Sequence, residues 1–134
     1  MDLLNLPNED DLILKDLTDD IISKYYKVYN TLGYGFLEQV YQNALFLELR
    51  KDHNCKVQYD IDVKYDNIVV GKYRADIIVD DLVILELKAA EELSNAHLCQ
   101  LQNYLKATDI EVGLLLNFGK KAEFRRRIYR NKYK

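Results

Sequence analysis

The sequence predicts an α/β domain, a mixed β-sheet with helices on its faces. Three observations carry that prediction. Residues 16–52 place apolar side chains at helical spacing in two blocks, split by Gly33-Tyr34-Gly35. From Val57 the apolar period changes to two, the spacing of strands. A third helical block, 95–107, then separates an antiparallel hairpin from the apolar run 111–118. A strand–helix–strand step after a hairpin makes the sheet mixed.

Residues 1–15 read as a loosely ordered acidic leader, and 16–134 as one domain. In 16–32, Ile21, Tyr25, Val28, Tyr29 and Leu32 form one stripe, and the glycines of 33–35 end the helix because glycine tolerates a left-handed cap. The second helix, 37–52, turns Leu37, Val40, Tyr41, Ala44 and Leu45 inward. Glu48 falls on that stripe and needs a salt-bridge partner there. Val57, Tyr59, Ile61, Val63 and Tyr65 alternate with Gln58, Asp60, Asp62 and Lys64, a half-exposed strand that ends in a turn at Asp66-Asn67. Ser94 is an N-cap for 95–107. Leu98, Leu101 and Leu105 form the core stripe of that helix, and His97, Gln100 and Tyr104 form a neighbouring polar one. A buried strand at 111–118 and a last strand at 123–129 complete the chain.

Apolar residues make up 49% of the chain and charged residues 31%, the balance of a globular protein. No apolar run approaches the length of a membrane span. The acidic start is not a signal peptide, and the two cysteines, Cys55 and Cys99, are too few for a disulfide framework or a zinc or iron–sulfur site. A cytoplasmic setting is expected. The net charge of −3 conceals an asymmetry: 1–20 hold seven acidic side chains and one basic, whereas 120–134 hold eight basic and one acidic. The basic segment could follow a phosphate backbone, lie as a solvated final strand, or pair with the acidic N-terminus.

The stretch Tyr73 to Lys88 carries the chemistry. Two apolar runs meet at Asp80-Asp81, and Asp76, Glu86 and Lys88 put charge where core strands exclude it. Period two sets Glu86 and Lys88 on one face. Asp76 faces Glu86 only if an odd number of residues forms the loop, as Asp80-Asp81-Leu82 would; a two-residue turn puts Asp76 opposite Leu85. With the right parity, two carboxylates and an ammonium converge. Such a hard-oxygen pair, with a backbone carbonyl, suits Mg2+ or Mn2+, and the lysine can handle an attacking water. A plain cross-strand salt bridge is the alternative.

Asp76, Glu86-x-Lys88 and a helix with Gln100-x3-Tyr104 resemble the PD-(D/E)XK nuclease superfamily, with Ala75 standing where the motif often has proline. The Q-x3-Y helix is similar to that of its recombination-type exonuclease branch. Gly35-x-x-Glu38-x-x-Tyr41 resembles the motif of the GxxExxY protein family, and the likeness runs from about Ile21 to Ile128. The resemblance implies a restriction-endonuclease-like core. It implies metal held by Asp76 and Glu86, helped by the Leu87 carbonyl. Lys88 would orient water or stabilise the phosphorane, Glu38 would complete the site from the second helix, and Gln100 and Tyr104 would support the lysine or a substrate phosphate.

Two functions follow. One is a metal-dependent nuclease-like phosphodiesterase acting on DNA, RNA not excluded, with an intact acidic pair, lysine and helix glutamate. The other is a catalytically silent module of the same fold that binds nucleic acid or a protein. The small size points to a homodimer or a protein partner.

Overall fold

The structure is a computed structural model that describes residues 9–134; the first eight residues of the expected leader lie outside the described residues. The elements run α1 (Glu9–Leu12), α2 (Lys15–Leu32), α3 (Glu38–Leu49), β1 (Cys55–Tyr65), β2 (Ile68–Val79), β3 (Val83–Lys88), α4 (Asn95–Lys106), β4 (Val112–Phe118) and β5 (Ala122–Ile128), with a 3-10 turn at Asn131–Tyr133. The five strands lie side by side in chain order. The β3–β4 pair is parallel and bridged by α4, and the other pairs are antiparallel. The sheet is therefore mixed.

Helices cover both faces. Ile21, Tyr25 and Val28 of α2 and Tyr41, Leu45 and Leu49 of α3 pack on Ile77, Leu85, Leu87, Leu114 and Leu116. On the other face, Leu101, Tyr104 and Leu105 of α4 pack on Ile78, Ile84 and Leu115. β4, between β3 and β5, is buried along its whole length, as expected of a strand covered on both sides. Tyrosine hydroxyls fasten α2 to the end of β4. Tyr25 donates to the carbonyls of Asn117 and Glu123, and Tyr29 to those of Gly119 and Lys120. Ser94 caps α4 with a reciprocal pair: its hydroxyl accepts from the His97 N–H at 3.2 Å, and His97 Nδ1 accepts from the Ser94 N–H at 3.1 Å. His97 is thus a capping residue.

Two expectations of inward-facing residues need correction. Leu37 stands in extended backbone before α3 and is 80% exposed, and Val40 is also exposed. The helix begins at Glu38, and its buried side runs through Tyr41, Leu45 and Leu49, with polar Gln42 buried beside them. In β1 only Ile61 is buried, while Val57, Tyr59 and Tyr65 are exposed. β1 is the outer strand of the sheet, and its ladder with β2 slips at Val70, the extra residue of β2 between Val69 and Gly71. Glu48 has its partners, Lys27 at 3.0 Å and Lys51 at 3.1 Å.

The basic C-terminal segment pairs in part with the N-terminal one. The Arg126 guanidinium donates to the Asp10 and Ile13 carbonyls. Arg130 pairs with Asp10 at 3.0 Å and Glu111 at 3.2 Å, while Arg125 remains exposed.

Candidate active site

The β2–β3 loop has three residues, Asp80, Asp81 and Leu82, and both aspartates are left-handed, at φ 55° and 56°. Aspartate tolerates that region better than most residues. The odd loop gives the register Ile77↔Leu85, Ile78↔Ile84 and Val79↔Val83. Continued by one step, it brings Asp76 opposite Glu86. There the backbone ladder gives way to side chains: the Asp76 N–H donates to Glu86 Oε1 at 3.1 Å, and the Leu87 N–H donates to Asp76 Oδ2 at 2.8 Å. Carboxylates have wedged the two strands open.

The same point breaks the alternation of β2. Ile77 packs under α2 and α3, whereas Ala75 and Ile78 both pack under α4. Three residues apart, Ala75 and Ile78 would lie on opposite faces of a regular strand. The strand turns over at Asp76, across from Gln58, whose φ of 49° interrupts β1. Gln58 donates to Gln42 of α3 at 2.7 Å and reaches Asp76 Oδ1 only at 3.5 Å. The irregularity aims Asp76 out of the core.

Burial dominates the electrostatics. Glu86 is 4% exposed. Its carboxyl is pushed up to about 8, first by burial and then by the Asp76 charge. Asp76 is also raised, again by burial first, although the Leu87 N–H and the Lys88 ammonium favour its charged form. Glu38 adds to the negative potential at both carboxyls.

The loop before α3 places Glu38. Gly35 sits at φ +111°, a conformation that side chains rarely adopt. The buried Tyr41 ring stacks on Phe118 with centroids 4.4 Å apart. Its hydroxyl donates to the Gly33 carbonyl at 2.6 Å and accepts the Phe36 N–H at 3.2 Å. Glycine and tyrosine thus fix the turn, and Glu38 opens the helix between them.

From the other face, α4 supplies a relay. Lys88 Nζ approaches Gln100 Oε1 at 3.5 Å, and the Gln100 amide donates to the Tyr104 hydroxyl at 3.0 Å. Burial, and next the Glu86 charge, push the Tyr104 phenol up to about 12. Tyr104 is therefore a neutral hydrogen-bonding group.

The donor set fits a divalent cation, since two hard carboxyl oxygens in a site that resists their charge gain from a positive ion. Among the described residues, no group of three His, Cys, Asp or Glu side chains is gathered as a ligand cluster, so Glu38 does not close on the pair.

Sequence reasoning missed several supporting residues. Gln58 and Gln42 flank Asp76, and nothing in a strand of alternating polar residues marked Gln58 as irregular. Fully buried Asn117 clamps the turn after Lys88: its amide donates to the Ala90 carbonyl at 2.9 Å, and its oxygen accepts the Ala90 N–H at 3.0 Å. At Gly119 a Cβ would lie 1.8 Å from the Ala90 oxygen, so only glycine fits. A polar Asn and a Gly closing the apolar run of β4 were the available signal.

Sheet order, helices on both faces and a carboxylate pair on the central hairpin define the restriction-endonuclease-like α/β class. Residues 15–128 match the family model of the PD-(D/E)XK nuclease superfamily, and the chain belongs to that superfamily. The crystal structure of SSO0001 shares the fold, with a TM-score of 0.57 at 20% identity. The alignment covers 81% of this chain and 59% of that one, so this chain spans well under two thirds of its structural relative. No curated protein sequence matches the chain. Among the described residues, no helix is long and apolar enough to cross a membrane.

Proposed function

We propose that the chain is a metal-dependent nuclease-like phosphodiesterase acting on DNA, with RNA as the second polymer to test. The observation that carries this reading is the pair of half-buried Asp76 and buried Glu86, bonded across the opened hairpin, with Lys88 two residues on toward Gln100. Asp76 and Glu86 would hold Mg2+ or Mn2+, helped by the Leu87 carbonyl, and Glu38, which does not close on the pair, would add negative charge from the start of α3. Bound there, the cation would supply positive charge against the phosphate and a lowered pKa for the attacking water.

The chain's own groups do the rest. Lys88 carries the compact positive charge that can orient water or meet the charge building on the phosphoryl oxygens. Gln100 accepts from Lys88 and holds its ammonium in place, while Tyr104 fixes the Gln100 amide. Asp76 is held by the Leu87 N–H, which leaves its other oxygen turned toward Gln58. Placement in the GxxExxY branch is part of the same proposal. It is supported by the roles of Gly35 and Tyr41 in setting Glu38. A cytoplasmic setting belongs to the same proposal.

A second reading, a binding module without catalysis, is favoured by one observation. Tyr65, Ile68 and Val70 at the tip of the β1–β2 hairpin are each more than half exposed, an apolar surface suited to a protein partner or a second copy. Supercoiled, linear and single-stranded DNA, and RNA, incubated with magnesium and with manganese separate the readings. Cleavage that requires the cation supports the nuclease; binding with no cleavage under any of these conditions supports the module.

A further inference from the structure

A cleft of about 1040 Å³ lies between the β1–β2 hairpin and α4, and Gln100 and Tyr104 belong both to it and to the catalytic relay. Its hairpin wall presents Lys64 and Tyr73; its helix wall presents Asn103 and Lys106. We propose that this cleft seats a single, unpaired nucleic-acid strand and delivers it to Lys88. The proposal rests on the nuclease reading for what happens at Lys88, but the cleft's occupancy can be tested without cleavage.

Three features favour this occupant. Tyr73 is 50% exposed, and its ring lies 5.7 Å from the buried Tyr104 ring at 49°. That gives a supported aromatic face on the cleft wall, and base stacking on such a face needs an unpaired base. Lys64 and Lys106, one on each wall against the single carboxylate of Asp62, offer positive charge for a backbone running between them. Lys106 is itself steered by the Tyr129 ring, 5.6 Å away. The third feature is size. The volume sits at the upper end of small-ligand clefts, with room for a few unpaired nucleotides. Tyr73 is linked through Tyr104 and Gln100 to Lys88, so the cleft and the carboxylate site share one set of contacts.

The test is fluorescence anisotropy with the Lys88→Ala chain in magnesium, so that bound strands stay intact. The probes are a labelled 12-nucleotide single strand and the duplex of the same sequence. The single strand should bind at least tenfold more tightly. Tyr73→Ala should weaken it about tenfold or more, and Tyr73→Phe should restore it, because phenylalanine keeps the stacking face that alanine removes. Replacing Lys64 and Lys106 with Gln should lower the salt slope by about 1, the loss of one to two phosphate contacts. Equal affinity for the duplex, or no effect of Tyr73→Ala, overturns the proposal. The two readings fail separately. A chain whose cleavage ignores Tyr73→Ala keeps the nuclease and loses the cleft. A chain that binds single strands through Tyr73 and cleaves nothing keeps the cleft and loses the nuclease.

Discussion

Glu86 shows what the site asks of a single residue. Its carboxyl, raised to about 8, is held protonated near neutrality by burial and by Asp76. Unfolded, it would titrate at its ordinary value near 4.5. The folded state is therefore penalised above that value, and the penalty is relieved as the pH falls through about 8. Glu86→Gln should stabilise the metal-free protein at pH 8–9, and its advantage over wild type should shrink toward pH 5; thermal denaturation at several pH values measures this. An advantage that stays flat across that range would mean that Glu86 is not the buried acid described. The same variant should lose cation binding. In calorimetric titrations with magnesium or manganese, wild type should bind, whereas Asp76→Asn and Glu86→Gln should bind at least tenfold more weakly. Unchanged binding in both variants would place the site elsewhere. The period of two put Glu86 and Lys88 on one face in the sequence, but whether Asp76 joined them hung on the loop parity, which the structure supplies. The depth of Glu86 was not legible, because a hairpin pattern does not say which helix covers it.

At the scale of elements, the hairpin that carries the pair is held from behind by His53. Its ring nitrogens lie 2.6 Å from Asp20 of α2 and 2.8 Å from Asp80 of the β2–β3 loop. Burial alone would lower this imidazole, but the bonds to Asp20 and Asp80 outweigh it and raise it. Its contribution is complete below the unfolded value near 6.5 and is lost as the pH rises through the higher folded value. His53→Ala should cost about 1–3 kcal/mol at pH 6, several degrees in Tm, and less at pH 9. A cost independent of pH would remove the charge from this account. In α3 the sequence showed a helix but not its rotation. Leu37 and Val40 belonged to the apolar stripe on paper. The buried face instead runs through Tyr41, Leu45 and Leu49, and the Tyr41 hydroxyl is anchored by Gly33 and Phe36. Tyr41→Phe keeps the stacked ring and removes both bonds. It should destabilise by about 1 kcal/mol, and it should slow cleavage more than it weakens DNA binding, because Glu38 loses its mooring. Equal losses in both measurements would make the tyrosine structural only.

Over the whole molecule, the element order and the mixed sheet were legible because each element has a clean period and each boundary has a glycine, a cap or a turn. What stayed hidden depends on contacts far apart in the chain. β1 reads as half-buried, yet it is an outer strand with only Ile61 covered. The charge asymmetry left three fates open for the basic end, and Arg126 and Arg130 turn out to reach the segment around Asp10. The cleft between hairpin and α4 could not be read from any one segment, because its walls lie about 30 residues apart in sequence. The proposed function turns on Lys88, the group it assigns to the phosphate without making it a metal ligand. The decisive measurement is DNA cleavage by Lys88→Ala beside wild type, with magnesium or manganese, together with cation and DNA binding by the same proteins. The account predicts a loss of cleavage of about a hundredfold to a thousandfold, with both kinds of binding largely kept. Cleavage by Lys88→Ala at the wild-type rate would contradict it.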